Sequence, residues 1–281
     1  DQFVEIKRDS ELKGIDFLST AFDTESLKFL HQNLKLTTLK IASGELNNAP
    51  FILDHARTGC DLIISTGMAN IDDIKQALSV VAYGYLTKDN KEAPSMKDFD
   101  GAYSSSDGQR LLLEKVTLLH CTTEYPAPLE EVNLNAIKGI QEQFGLRVGY
   151  SDHTQGIFVP IAAAALGAVI IEKHFTLDRS MEGPDHKASL EPDELKAMVM
   201  ALRSTKIALG SSEKEVTASE LVNRDVIRKS IIALKNINKG DVYSEVNIGV
   251  MRPGTGLSPF RYWEILGTAA QKALQAGDNI E

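Results

Sequence analysis

The chain has 281 residues, 43% hydrophobic and 25% charged, with a formal net charge of −9, the balance of a globular protein with room for one large domain and a small one. The acidic excess is diffuse, which argues against a nucleic-acid partner, and the longest nearly apolar run, residues 158–171, is too short to span a bilayer. Two cysteines, Cys60 and Cys121, give no disulfide framework and adjoin apolar runs, so buried thiols, a reducing cytoplasm and no membrane anchor are expected.

Residues 3–12 alternate charged and apolar side chains at helical spacing, and Gly14 follows as a C-cap would. Residues 15–22, IDFLSTAF, read as a strand ending in Ser19 and Thr20. Asp23 or Thr24 can cap a helix over 25–33. LKIAS, 39–43, is a second strand, followed by Gly44, Glu45 and a helix over 51–58. DLIIST, 61–66, is a third, closed by Gly67 and followed by a helix over 70–81. Residues 83–110 break the rhythm. They are rich in Lys, Asp, Ser and Gly, and read as a surface insertion or mobile loop. Residues 111–114 read as the lead-in to a strand at 116–122, and a helix follows over 134–144.

The most informative stretch is 147–185. Short apolar segments at 148–150 and 169–171 run into Ser151-Asp152-His153 and Glu172-Lys173-His174, with an Ala-rich helix between them over 158–166. Strand, helix, strand is the parallel crossover unit, so both histidines should emerge at the carboxyl edge of one sheet. Two neutral imidazoles meeting there are good divalent-metal ligands. A long amphipathic helix over 192–209 completes six strand–helix units, which means a parallel sheet, open or closed into a barrel. A barrel needs eight strands, so either two units are absent or the sheet is open. The chain also opens on Asp1 rather than Met, so its natural start is expected to lie upstream. Hydroxyl residues recur at the strand ends and, with Lys40, make a plausible anion site. No GxGxxG or P-loop is present.

Residues 211–228 are polar and read as a linker or helix. Residues 229–281 read as a second domain with a strand at SIIAL and a turn at 238–240. Its RPGTG stretch carries Arg252, a side chain suited to bidentate carboxylate recognition.

Taken together, SGELNN, ISTGM, LHCTTEYPAP, YSDHT, EKHFTLDRSMEGPDH and MRPGTG resemble the sialic acid synthase family, above all its bacterial N-acetylneuraminate synthases, from about residue 15 to the last residue. The resemblance implies an α/β fold: a TIM (β/α)8-type barrel over 1–210 lacking its first two units, a linker over 211–228, and a small antifreeze-like (SAF) domain over 229–281. It implies a cytoplasmic homodimer in which that domain caps the partner's barrel mouth, and Mn2+, Mg2+ or Co2+ as cofactor. The reaction implied is condensation of phosphoenolpyruvate with N-acetylmannosamine to N-acetylneuraminate. Legionaminate or pseudaminate synthesis, or an inactive sugar-binding member, are the alternatives. By resemblance His153 and His174 match the metal ligands. Thr20, Lys40, Ser43 and Ser151 match phosphoenolpyruvate contacts, Thr123 (within Thr122–Thr123) falls where some members contact the phosphate with Asn, and Glu45 matches a carboxylate near the reacting carbons. Tyr125 and Asp185 match groups around the amino sugar, and Arg252 an arginine that reaches the other subunit's sugar.

Overall fold

The computed structural model describes residues 2–88 and 92–281, in two compact units, Asp1–Gly210 and Ser211–Glu281. In the larger unit β1 (Thr38–Ile41), β2 (Asp61–Ser65), β3 (Val116–Cys121), β4 (Arg147–Asp152) and β5 (Ile171–Lys173) pair in that order as one parallel five-stranded sheet. Leu39, Ile41, Leu62, Ile64, Leu118, Val148 and Tyr150 are buried, the near-continuous apolar content of parallel strands covered on both faces. Where six strands were expected there are five. Residues 15–22 form no ladder: Thr20 alone bridges to Lys40, in parallel, and Ile15, Leu18 and Phe22 are exposed. An apolar run becomes a strand only where a partner offers matching register, and here that happens at a single residue. The last strand is also shifted, from the expected 169–171 to Ile171–Lys173.

Helices precede, connect and follow the strands. They are α1 (Gln2–Leu12), α2 (Thr24–Lys28), α3 (Ala49–Arg57), α4 (Ile71–Leu86), α5 (Met96–Ser104), α6 (Ser106–Lys115), α7 (Asn135–Phe144), α8 (Phe158–Ala165) and α9 (Pro192–Leu209). Asp23 caps α2 by accepting the Ser26 N–H at 2.7 Å, and a one-turn π-helix over Phe29–Asn33 continues it. Asn70 and Asp73 form a capping box on α4. That helix lies so close to α3 that a Cβ on Gly84 would meet the Ala56 methyl at 2.5 Å.

Residues 83–110 are not a loop. They hold the end of α4, all of α5 and the start of α6; residues 89–91 lie outside the described residues. The serines that suggest a loop are caps. Ser95 and Asp98 box the start of α5, and the Ser105 hydroxyl accepts the Gly108 N–H at 3.0 Å. Residues 111–114, expected to lead into a strand, finish α6, and the chain passes from helix to strand at Val116 with no loop between.

The smaller unit contains α10 (Ala218–Ile227), where a linker or helix was expected, capped by Thr217 with Glu220. β6 (Ser230–Ala233) and β7 (Ile248–Met251) pair antiparallel, and single bridges tie Ile237 to Leu274 and Val242 to Ala269. Its core is Ile231, Ile237, Tyr243, Ile248, Leu274, Ile280 and two alanines. No helix among the described residues is long and apolar enough to cross a membrane.

Candidate active site at the carboxyl edge of the sheet

Strand periodicity decides which side chains can meet. β4 pairs with β5 so that Ser151 faces Glu172 and Asp152 faces Lys173. Neighbouring residues of a strand point to opposite faces. Ser151, His153, Glu172 and His174 therefore share one face, and Asp152 and Lys173 the other. Following the ladders across β3 and β1, Cys121 and Lys40 fall on the first face with Ser151.

On that face the contacts form a chain. Lys40 Nζ donates to Ser65 Oγ at 3.0 Å and lies 3.5 Å from a Glu172 carboxylate oxygen. Ser151 Oγ donates to Glu172 Oε1 at 2.6 Å and sits 3.5 Å from His153 Nε2. The His153 and His174 rings are 5.4 Å apart between centroids. The Tyr125 ring lies 4.2 Å from the first and 5.4 Å from the second. His174 Nδ1 is 3.8 Å from Asp185.

His153 Nδ1–H donates to the Thr122 carbonyl at 2.7 Å. Burial, and secondarily the nearby His174, hold its pKa below the ordinary 6.5, so the ring is neutral at pH 7. The single Ser151 proton is engaged by Glu172, which leaves the His153 Nε2 lone pair facing the site without a donor. Burial raises the Tyr125 phenol, with smaller contributions from Cys121, Asp185 and Glu172, so it stays protonated and able to donate. Among the described residues no group of three or more His, Cys, Asp or Glu is arranged to hold a metal ion. The donor set on offer is two imidazoles.

A second pocket lies beside the first. Ser43, in the turn after β1, accepts the Gly67 N–H at 3.0 Å and lies 3.3 Å from Cys121 Sγ. A Cβ on Gly67 would come within 2.2 Å of Thr123 Oγ1 and 2.9 Å of Ser43 Oγ, so these hydroxyls crowd a space that only glycine leaves open. A larger cleft of about 840 Å³ opens next to Tyr125, lined by Glu124, Pro126, Ala127, Thr154, Gln155 and Phe158 among others.

Of the residues singled out from sequence, Lys40, Ser151, His153, His174, Tyr125 and Asp185 are linked by the contacts above. Ser43 and Thr123 meet at Gly67. Thr20 joins through its backbone bridge to Lys40. Glu45 is held instead by Asn48 Nδ2, 2.7 Å away. Arg252 belongs to the smaller unit, where its Nε donates to the Ile227 carbonyl at 2.9 Å. Sequence reasoning passed over Ser65, Glu172, Asp152 and Lys173. Each sits in a strand-end triplet, but only the register reveals its partner.

The model of the NeuB family matches residues 1–214. The chain belongs to the NeuB family. Its NeuB relatives include the N,N'-diacetyllegionaminic acid synthase of Campylobacter jejuni, 45% identical over 259 residues, which are 92% of this chain and 70% of that one. The human N-acetylneuraminate-9-phosphate synthase is 31% identical, with 100% of this chain and 70% of that one covered. A crystal structure of the N-acetylneuraminic acid synthetase of Leptospira borgpetersenii, in complex with citrate, superposes with a TM-score of 0.64 at 32% identity, covering 79% of this chain and 67% of that one. This NeuB chain thus has legionaminic and sialic acid synthases as homologues, and pseudaminic acid synthases as well.

Proposed function

We propose that the chain is a nonulosonic acid synthase domain that condenses phosphoenolpyruvate with an N-acetylated amino sugar. The observation that carries this reading is the unbroken series of contacts from Lys40 through Glu172, Ser151 and His153 to Tyr125, His174 and Asp185 along one strand edge. One end is cationic and rich in hydroxyls, suited to a phosphate. The other offers imidazole, phenol and carboxylate, suited to a polar sugar. Lys40, Ser65, Ser43, Thr123 and Thr20 bind the phosphate and carboxylate of phosphoenolpyruvate. Tyr125 and Asp185 hold the sugar.

The methylene carbon of phosphoenolpyruvate attacks the sugar aldehyde, forming the carbon–carbon bond, and the aldehyde oxygen becomes a hydroxyl. Water adds to the resulting oxocarbenium; phosphate leaves with its bridging oxygen and the water's second proton, giving the ketone, and the water's first proton balances the one taken up by the aldehyde oxygen. Glu45 is one acceptor for that first proton. Glu172, held between Lys40 and Ser151, is another. His153 and His174 fit a divalent ion, because their rings lie 5.4 Å apart between centroids and His153, whose Nδ1–H is spent on the Thr122 carbonyl, keeps Nε2 for a ligand bond. Such an ion, Mn2+ by preference, supplies Lewis-acid polarisation of the aldehyde when bound.

Two sugar substrates are supported. N-acetylmannosamine is implied by the motifs. The legionaminate-type, doubly N-acetylated sugar is favoured by 45% identity to a synthase of that name, against 31% to the human enzyme. We further propose that the smaller unit is an antifreeze-like (SAF) domain whose Arg252 serves the other subunit of a homodimer. Phosphate release with Mn2+, phosphoenolpyruvate and each sugar in turn tests the reading. One sugar should give at least tenfold higher kcat/KM than the other. Release with neither, from protein that also fails to bind phosphoenolpyruvate, would end it.

A further inference from the structure

On the far face of the same two strand ends lies a buried ion pair. The Lys173 and Asp152 side chains are 2% and 0% exposed, with Nζ 2.6 Å from Oδ2. The same ammonium donates to the Thr154 carbonyl. The Asp152 carboxylate also accepts the Thr154 N–H at 3.0 Å and its hydroxyl at 2.9 Å. Lys173 thus bonds to the residue before His153 and the residue after it, while preceding His174 in the chain.

We propose that Asp152 and Lys173 are a positioning pair that fixes the register of β4 on β5 and so aims His153 and His174 at each other. β5 has only three residues, with Ile171 its one apolar side chain and only partly buried against the core, so apolar burial does little to pin it. A slip of one residue would turn His174 to the opposite face. Ile170 seats closely on Gly149, where an added Cβ would meet its carbonyl oxygen at 2.6 Å, but that contact alone does not carry the register on to the strand ends. Polar pairing does: Ser151 with Glu172 on the site face, Asp152 with Lys173 behind it. A buried ion pair is a poor source of stability, since apolar residues of similar volume serve the fold as well or better. Its specific gain is registry. The pair closes around His153 with every oxygen and most ammonium protons engaged, the condition under which such a network selects one arrangement. Outer groups of this kind orient imidazole ligands without touching the ion.

The inference rests on the two-histidine metal site of the proposed function, and the test separates the two ideas. The neutral double variant Asp152→Asn with Lys173→Met removes the ionic clasp without stranding a charge. Three readouts are taken on the full chain: thermal unfolding, Mn2+ affinity by electron paramagnetic resonance, and the nuclear Overhauser contact between the His153 and His174 rings. The double variant should melt within a few degrees of the original, lose the ring–ring contact, and bind Mn2+ at least tenfold more weakly, within the ~10–100-fold cost of losing an outer group. A merely structural pair would lower the melting temperature and leave contact and affinity unchanged in the folded protein. That result, or wild-type contact and affinity within twofold, overturns the proposal. If the unaltered chain binds no Mn2+, the metal reading fails, and the ring contact still decides the role of the pair. If the double variant does not fold, Thr154→Val replaces it. That change deletes one hydroxyl donor to Asp152 and no charge. Weakened ring contact with Mn2+ affinity reduced two- to threefold supports the pair, and wild-type values refute it.

Discussion

The two units of the chain tolerate polarity very differently. The larger one buries His55, Ser65, Thr117, Ser151, Asp152, His153, Thr154 and further polar side chains, together with Lys173. In the smaller one Ser230 is the single buried polar side chain among the described residues, and its hydroxyl is fully used, donating to the Pro253 carbonyl and accepting the Gly256 N–H, each at 2.8 Å. Core size accounts for the contrast. Dozens of buried apolar residues surround the sheet, whereas eight make up the small core. Each desolvated polar group is tolerable only where apolar burial elsewhere offsets it. A unit of about seventy residues has little surplus. Its proposed contribution, Arg252, accordingly sits on an exposed turn.

The sharpest break in that comparison comes from removing a polar group to which the proposed function gives a chemical role. His153→Ala should cost more than about 100-fold in Mn2+ affinity, beyond the ceiling for outer groups, while the melting temperature moves little. Titration with Mn2+ alongside calorimetry checks both. A truncation in each apolar core comes next. Leu118→Ala and Ile248→Ala should each cost about 2–5 kcal/mol. In the larger unit that leaves a folded protein; in the smaller it consumes much of the available stability. Residues 211–281 should then melt in a separate, earlier transition. Coincident loss of both units would mean that they fold as one.

A smaller effect concerns acid. Burial holds His55 and His120 below the ordinary imidazole value of 6.5, so both are neutral in the fold and protonate more readily when the chain unfolds. Their contribution is complete above pH 6.5 and is lost as pH falls from there toward the depressed folded values. Denaturant midpoints measured between pH 7.5 and 5 should fall for the larger unit. His55→Gln should flatten that slope. The smaller unit contains no histidine, so its midpoint should not follow the same curve. The smallest expected effect is the loss of a helix cap. Thr217→Ala, which removes the acceptor for the Glu220 N–H on α10, should cost about 1 kcal/mol. Amide exchange in 218–227 should rise without a change elsewhere.

The alternation of strands and helices and the meeting of the two histidines at the carboxyl edge were legible in the sequence because each rests on a local pattern. An apolar run followed by polar residues is visible wherever it occurs. The helices at Met96–Ser104 and Ser106–Lys115 were misread because their faces are mostly polar. The signal that could have found them, Ser95 three residues before Asp98, is a cap rather than a periodicity. The strand expected at 15–22 failed for the opposite reason: its composition suits a strand, but pairing is not a local property. Lys173, Asp152 and Glu172 lay in plain view beside the histidines. Which of them faces Lys40 and which is sealed behind the sheet depends on a register spanning twenty-one residues of sequence, and no local window contains it.

Gly67 has a consequence for how this protein could be disabled. Its missing side chain is the space between Ser43 and Thr123, so those two hydroxyls and any methyl group placed there contend for one volume. Gly67→Ala would act as a built-in antagonist, covalently attached and never released. The proposed anion pocket would stay permanently occupied by the chain's own backbone substituent. In a cell that relies on the proposed synthase activity the lesion would look like exposure to a saturating drug, and no increase in substrate supply would reverse it.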